Sequence, residues 1–479
     1  MLFRAALTAL GAATSVAAVT SLEVQGSQFV NSKTGDAFQI VGVAYQIGGS
    51  SGYDPVQGKD PLSNGDICRR DAALMQMLGI NTVRVYNLDP DLNHDECASI
   101  FNAAGMYMLI DVNSPLVGES LNSFEPWTSY YEAYVNRTFA IVENFKGYPN
   151  LLGFFSGNEV IDAVKTGATA PPYIRAVTRD LKNYIKNHAD REIPVGYSAA
   201  DVRDVLEDSW NYFQCSIEGE KNDMSRADIF ALNSYSWCGE SNFHDSSYDQ
   251  LVALFETTSV PVFYSEFGCN TPSPRVFTEI GTIYGSNMSS VFSGGVVYEF
   301  SQEDNNYGLV QVNDDNSVDL LSDFRTLQNQ YAKLDFESVQ SVKAAGKSIT
   351  PPKCSESLIK EDGFNNNFTL PVPPPGVQKL IDSGISKKLN GKIIDISDWK
   401  VGQTVKDVDG TKLSNLVVRP LADGEINNPS PTDSGSGSGG SETSDNASPR
   451  LAPLGSISAA LFAVPAIVAT SFAVGFTLF

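Results

Sequence analysis

The chain predicts an α/β fold, a (β/α)8 or TIM barrel followed by a small C-terminal β-rich module. Two observations carry that reading. From about residue 39 to 325, short apolar runs alternate with helix-period segments. The runs are apolar almost throughout, as parallel strands buried on both faces require. Eight such runs with helical crossovers suit the length of a barrel.

The strand candidates are 39–44, 82–86, 107–112, 152–156, 194–198, 229–234, 260–265 and 295–300. Between them, Ile174, Val177, Leu181 and Ile185 fall on one helical face, with Pro171 and Pro172 opening that helix. Residues 66–78 likewise bring Ile67, Leu74, Met77 and Leu78 to one side. A doubly wound open sheet shares this alternation. No Gly-x-Gly-x-x-Gly or phosphate-binding loop follows an early strand, so nucleotide binding has no support.

After Lys333 the texture changes. Prolines at 351–352, 371 and 373–375 interrupt the chain, and 392–396 and 416–419 read as strands. The expected layout is a barrel over 19–335, an appended module over 336–425 and a Ser/Gly-rich linker over 426–446.

Both ends read as processing signals. Residues 1–18 carry Arg4 and then an uncharged run closing on Val16-Ala17-Ala18, the pattern of a secretory signal peptide. Residues 451–479 hold no charge and finish at the terminus, with no basic residues beyond as a spanning anchor usually has. Small residues at 446–448 after a flexible linker give 447–479 the layout of a GPI propeptide, with Asn446 the expected attachment point. A retained tail helix is the competing reading. Sequons at Asn136, Asn287, Asn367 and Asn446 suit a secreted route, although Asn446 does not serve both roles simply. The expected location is the outer face of the plasma membrane and the cell wall. With 33 Lys+Arg against 56 Asp+Glu the net charge is −23, which argues against a nucleic-acid partner.

The chemistry points to two glutamates. Active sites of such barrels are built at the C-terminal ends of the strands. Glu159 follows Phe154-Phe155-Ser156-Gly157-Asn158, and Glu266 follows Val262-Phe263-Tyr264-Ser265, after candidate strands four and seven. A carboxylate ending an apolar run is costly unless paired or at work. Cleavage of a glycosidic bond with retention needs two carboxyls about 5 Å apart, one acid/base and one nucleophile. On that logic Glu159 is the acid/base, Glu266 the nucleophile, and Asn158 is placed to bind a sugar hydroxyl.

With these residues in view, the chain resembles the fungal glycoside hydrolase family 72 β-1,3-glucanosyltransferases. The resemblance rests on residues 42–46, 81–86, 110–113, 154–160, 192–201, 233–238, 265–270 and 295–302, within 22–355. It implies the barrel, a retaining mechanism without a cofactor or metal, and transfer of one β-1,3-glucan chain onto another. It also implies a cleft lined by Gln46, Tyr86, Asp111, Asn158, Tyr235, Tyr298 and Tyr307. Arg84 either orients the nucleophile, the favoured role, or balances an acidic mouth. The family pattern suggests disulfides Cys68–Cys97, Cys215–Cys354 and Cys238–Cys269; sequence alone leaves all 15 pairings of six cysteines open. Only Cys354 lies beyond Cys269, so the cysteine-rich carbohydrate-binding module of longer family members is missing. Two other readings stand beside the transferase: a β-1,3-glucan hydrolase using the same carboxylates, and a non-catalytic glucan-binding wall protein.

Overall fold

A computed structural model describes residues 19–429 apart from 221, 345–348 and 423. The signal peptide, the Asn446 attachment point and the GPI propeptide fall outside the described residues. Eight parallel strands close into a barrel: β1 (Ile40–Ala44), β2 (Thr82–Val85), β3 (Tyr107–Asp111), β4 (Leu151–Asn158), β5 (Val195–Ala200), β6 (Ile229–Asn233), β7 (Val262–Phe267) and β8 (Phe292–Val297). Closure comes from β8 on β1, with Gly294 opposite Ile40 and Val297 opposite Val43.

The strand positions refine the sequence reading at the places that matter most. β4 runs on through Asn158 and β7 through Phe267, so Glu266 lies inside its strand and Glu159 directly follows its own. β8 starts three residues earlier than expected, because Gly294 and Gly295 sit within it. Glycine weakens a strand unless another backbone approaches closely. Here one does: a Cβ on Gly294, at φ +80°, would lie 2.1 Å from the Ile40 carbonyl.

The barrel interior is layered. At its lower end Ile40, Leu109, Phe155, Ile229, Ala231, Phe263 and Val296 form one apolar cluster with Leu22 and Phe29. The last two come from an antiparallel hairpin, Leu22–Gln25 with Gln28–Asn31, and Phe29 meets Phe263 edge-on at 5.7 Å. The hairpin therefore closes the floor. Alternate inward positions further up the same strands turn polar: Arg84, Asp111, Ser198, Asn233 and Ser265 bond to one another there. Outside, the helix Pro171–His188 buries Ile174, Val177, Leu181 and Ile185, the face its periodicity predicts.

Residues 336–429 correct the expected β-rich module. Neither 392–396 nor 416–419 is a strand; among its described residues the segment contributes Val405–Lys406, paired with Val318–Leu320, the short helices Phe336–Gln340 and Val377–Ser383, and a 3-10 turn at Glu356–Leu358. It is a strap over the barrel's outer helices. Some of its amides find partners on the barrel, Lys392 N donating to Asp95 Oδ1 at 2.8 Å, Ile394 N to Ser99 Oγ at 2.9 Å and Leu421 N to the Ala103 carbonyl at 2.8 Å, while others pair within the strap, Val401 N with the Leu416 carbonyl at 3.0 Å and Val418 N with the Trp399 carbonyl at 2.9 Å. Pairing within the strap stays at isolated antiparallel bridges, Lys400 with Val417 and Lys406 with Lys412. The barrel and strap together form one compact unit.

All six cysteines are bonded, as Cys68–Cys97, Cys215–Cys354 and Cys238–Cys269. Cys215–Cys354 closes a loop of sequence separation 139 and pins the start of the strap. Replacing both of these cysteines by alanine is expected to cost about 2–5 kcal/mol of stability. Denaturant unfolding of the double variant checks this, and an unchanged midpoint would contradict it.

Candidate active site

The polar layer is organised around Arg84, which is fully buried on β2. A guanidinium removed from water needs acceptors on every N–H. Asp111, ending β3, takes a fork: Nε to Oδ2 at 3.0 Å and Nη2 to Oδ1 at 3.2 Å. Nη2 also donates to Asn158 Oδ1 at 2.9 Å. Nη1 donates to Glu266 Oε1 at 3.2 Å and to Asn233 Oδ1 and the Ser265 carbonyl, both at 3.3 Å. The rings of Tyr86 and Phe155 lie 4.4 and 4.8 Å from its central carbon.

Glu266 is buried and held from three sides. Besides Arg84, the Tyr86 hydroxyl donates to Oε1 at 3.0 Å and the Tyr235 hydroxyl to Oε2 at 2.7 Å. A register shift in β7 between Tyr264 and Glu266 lets Ser265 and Glu266, neighbours in sequence, both reach this layer. Glu159 stands opposite in character. It is exposed at the mouth, has a φ of +48°, and accepts one side-chain hydrogen bond, from Asn233 Nδ2 at 2.9 Å. A left-handed backbone at a non-glycine residue is strained. The Glu159 amide, donating to the Ser198 carbonyl at 2.9 Å, holds it there.

The electrostatics separate the two carboxyls. Burial is the largest influence on Glu266 and pushes it up to about 7; the Arg84 charge opposes this and the Glu159 charge adds to it. Glu159 is also raised, first by the surrounding protein, against the Asn233 bond and Arg84, with Asp162 adding to the rise. Its exposure at the mouth tempers that effect. Three donors, one of them cationic, converge on Glu266 and one neutral amide on Glu159, an arrangement that favours the charged form more at Glu266 than at Glu159.

Three tyrosines wall the mouth. Tyr235, Tyr298 and Tyr307 pack edge to face with centroids 5.3–6.3 Å apart. Arg275 sets two of them by their backbones, donating to the Tyr298 carbonyl at 2.6 Å and the Tyr307 carbonyl at 2.5 Å while Asp323 holds its Nε at 2.7 Å. Across the mouth Gln46 Oε1 accepts from the Asn87 amide at 3.0 Å. Its buried Nε2 has no partner among the described residues, a donor left for a ligand hydroxyl.

A family model described as Glucanosyltransferase matches residues 11–335. The chain belongs to glycoside hydrolase family 72. It is 50% identical over 424 residues to the 1,3-beta-glucanosyltransferase gel2 of Aspergillus fumigatus, covering 88% of each chain. With the 1,3-beta-glucanosyltransferase GAS4 of Saccharomyces cerevisiae the identity is 44% over 393 residues, covering 82% of this chain and 81% of the other. Among solved structures it resembles a Glu-to-Gln mutant of Saccharomyces cerevisiae Gas2p bound to laminaritetraose and laminaripentaose. There the TM-score is 0.64 at 36% identity, over 74% of this chain and 75% of that one.

In this family 72 chain the residues singled out from sequence gather in one place: Gln46, Arg84, Tyr86, Asp111, Asn158, Glu159, Tyr235, Glu266, Tyr298 and Tyr307 all lie at the C-terminal mouth. Asn158 does more than the sequence suggested. Its Oδ1 accepts from Arg84, Ser198 and Asn233, which leaves its Nδ2 as the free donor among the described residues. Asn233, Ser198, Ser265 and Arg275 escaped the sequence reading. Asn233 ends an apolar run as Glu159 and Glu266 do, and that pattern was the signal available. Of the sequons, Asn287 and Asn367 are exposed and Asn136 is half-buried on the helix Glu132–Phe145. Among the described residues no helix is long and apolar enough to cross a membrane.

Two expectations follow from this geometry. Arg84→Lys keeps a charge but loses the planar fork, and is expected to lower kcat by about 100-fold or more with a smaller change in KM. Steady-state kinetics on a folded variant checks it; near-normal kcat would contradict it. The second concerns pH. Burial also pushes Glu279 and Glu299 up to about 7. A carboxyl with a higher pKa folded than unfolded contributes stability that is complete below the unfolded value and lost as pH rises through the folded one. The melting temperature is therefore expected to fall by several degrees from about pH 4.5 to about pH 7. Thermal unfolding across that range checks the sign; a rise would contradict it.

Proposed function

We propose that this chain is a retaining β-1,3-glucan transglycosylase. It cleaves an internal bond of a donor glucan and transfers the new reducing end to the non-reducing end of an acceptor. The observation that carries the reading is the asymmetric pair: Glu266 held as an anion by Tyr86, Tyr235 and Arg84, and Glu159 beside it at the open mouth with a proton to give. Membership of family 72 and the laminari-oligosaccharides in the Gas2p relative support the same substrate class.

In the first step a Glu266 oxygen attacks the anomeric carbon. The glycosidic bond breaks, and its oxygen leaves with the Glu159 proton. The sugar is then an ester of Glu266. In the second step Glu159, now ionised, takes the proton of an acceptor hydroxyl, whose oxygen displaces Glu266 and restores it as a carboxylate. The stereochemistry inverts twice and is retained. Asp111, Asn158 and Gln46 offer polar groups to sugar hydroxyls, and Tyr235, Tyr298 and Tyr307 offer rings to pyranose faces.

Hydrolysis differs only in the second nucleophile. Transfer requires that an acceptor sugar be held against the ester long enough to exclude water, a matter of positioning. The tyrosine wall beside Glu266 is suited to that. The leader and tail patterns, with the wall-associated family, support an extracellular, GPI-anchored enzyme acting at the cell wall.

Incubation with laminari-oligosaccharides followed by mass spectrometry tests the proposal. Products longer than the substrate are expected; exclusively shorter ones indicate a hydrolase. Glu159→Gln and Glu266→Gln are each expected to abolish turnover while circular dichroism stays native. Full activity in either would remove the assignment, and a folded wild type without turnover would favour a glucan-binding wall protein.

A further inference from the structure

The loop from β3 to the helix Glu132–Phe145 carries a surface that the catalytic pair does not use. Among the described residues, the exposed large aromatic side chains are Phe124, Trp127 and Tyr131, at 52%, 53% and 40% exposure, and all three belong to this loop. Leu116 and Val117 are exposed beside them. Aromatic rings normally bury most of their area, so three left open within eight residues mark a surface that binds something.

The surface is not loose. Glu119 ties the loop to the barrel: Tyr53 Oη donates to its Oε2 at 3.2 Å, Ser114 Oγ at 2.5 Å, and Arg137 Nε lies 2.7 Å away. Tyr130 anchors the far end through its bond to Asp180 at 2.5 Å, and Pro126, which precedes Trp127, is buried. The rings are thus presented on a fixed frame, and little entropy is lost when they are covered.

The loop is also continuous with the candidate cleft. It leaves β3 one residue past Asp111, the fork partner of Arg84, and Asn113 Nδ2 donates to the Ser156 carbonyl of β4 at 3.1 Å. On its other side Thr169 Oγ1, from the segment following Glu159, donates to the Ser123 and Phe124 carbonyls at 3.3 Å. The Lys165 ammonium lies 5.0 Å from the centre of the Phe124 ring. The surface therefore begins where β3 and β4 open, on the Glu159 side. Seven of its fifteen other residues are Ser, Asn or Thr, and its two acids are Glu125 and Glu119, the latter paired with Arg137. Flat rings among neutral hydroxyls and amides suit an uncharged polysaccharide better than a charged partner.

We propose that Phe124, Trp127 and Tyr131 form a remote glucan-binding surface that extends the cleft beyond the reacting bond and selects long chains. The proposal rests on the glucan reading above. This surface supplies binding to glucan units far from the glutamates.

The test compares kcat/KM on long soluble β-1,3-glucan with that on short laminari-oligosaccharides. The proteins are the full-length wild type, Trp127→Ala, the double variant Phe124→Ala/Trp127→Ala, and Val408→Ala as an exposed apolar control far along the chain. The long-to-short ratio is expected to fall about ten-fold in the double variant, with Trp127→Ala between, and to hold in Val408→Ala. An unmoved ratio in the double variant overturns the proposal, as does an equal fall in Val408→Ala. So does loss of binding to phosphatidylcholine/phosphatidylserine vesicles with the ratio intact, which would make the surface a membrane contact. A folded wild type inactive on both substrates overturns the glucan reading itself, a distinct outcome.

Discussion

The site depends on one buried cation. Moving a guanidinium from water into a protein interior costs several kcal/mol unless acceptors replace the water. Arg84, on β2, obtains them from four other strands: Asp111 on β3, Asn158 on β4, Asn233 on β6, and Ser265 and Glu266 on β7. The geometry of those acceptors is thereby fixed relative to one another. The apolar floor closed by Phe29 and Phe263 keeps water from the cation's lower side.

This arrangement explains why neutral residues are as important as charged ones. Asn233 accepts from Arg84 through Oδ1 and donates to Glu159 through Nδ2, so a single amide links the cation to the second carboxyl. Ser265 Oγ donates to Asn233 Oδ1 at 2.7 Å, fixing which end of that amide faces Glu159. An aspartate in place of Asn233 would oppose Glu159 with a like charge, and an aliphatic residue would leave Arg84 short of an acceptor.

Much of this was legible in sequence, for physical reasons. Parallel strands buried on both faces announce themselves as apolar runs, and a glutamate closing such a run stands out because it is costly there. Arg84 stood out likewise, between Val83 and Val85. What stayed hidden was of two kinds. Gly294 and Gly295 disguise the start of β8, because the approach of Ile40 that requires them is tertiary. Ser198, Ser265 and Arg275 look ordinary one by one, since their partners lie tens of residues away. The strap misled in the opposite direction: residues 392–396 have the composition of a strand, but their amide partners are Asp95 and Ser99 on a helix.

The same cation gives the proposed reaction its direction. Before attack, the surrounding protein raises Glu159, and Arg84 works against it through space. Esterification removes the Glu266 charge but leaves Arg84 in place, so the balance on Glu159 tips toward the ionised form. It has then lost its proton to the departing oxygen and has less reason to regain one from solvent. A neighbour held by neutral groups alone would leave Glu159 with a weaker change between the two steps. In the proposed reaction the acid becomes a base because the nucleophile's negative charge is spent while the buried positive charge cannot move.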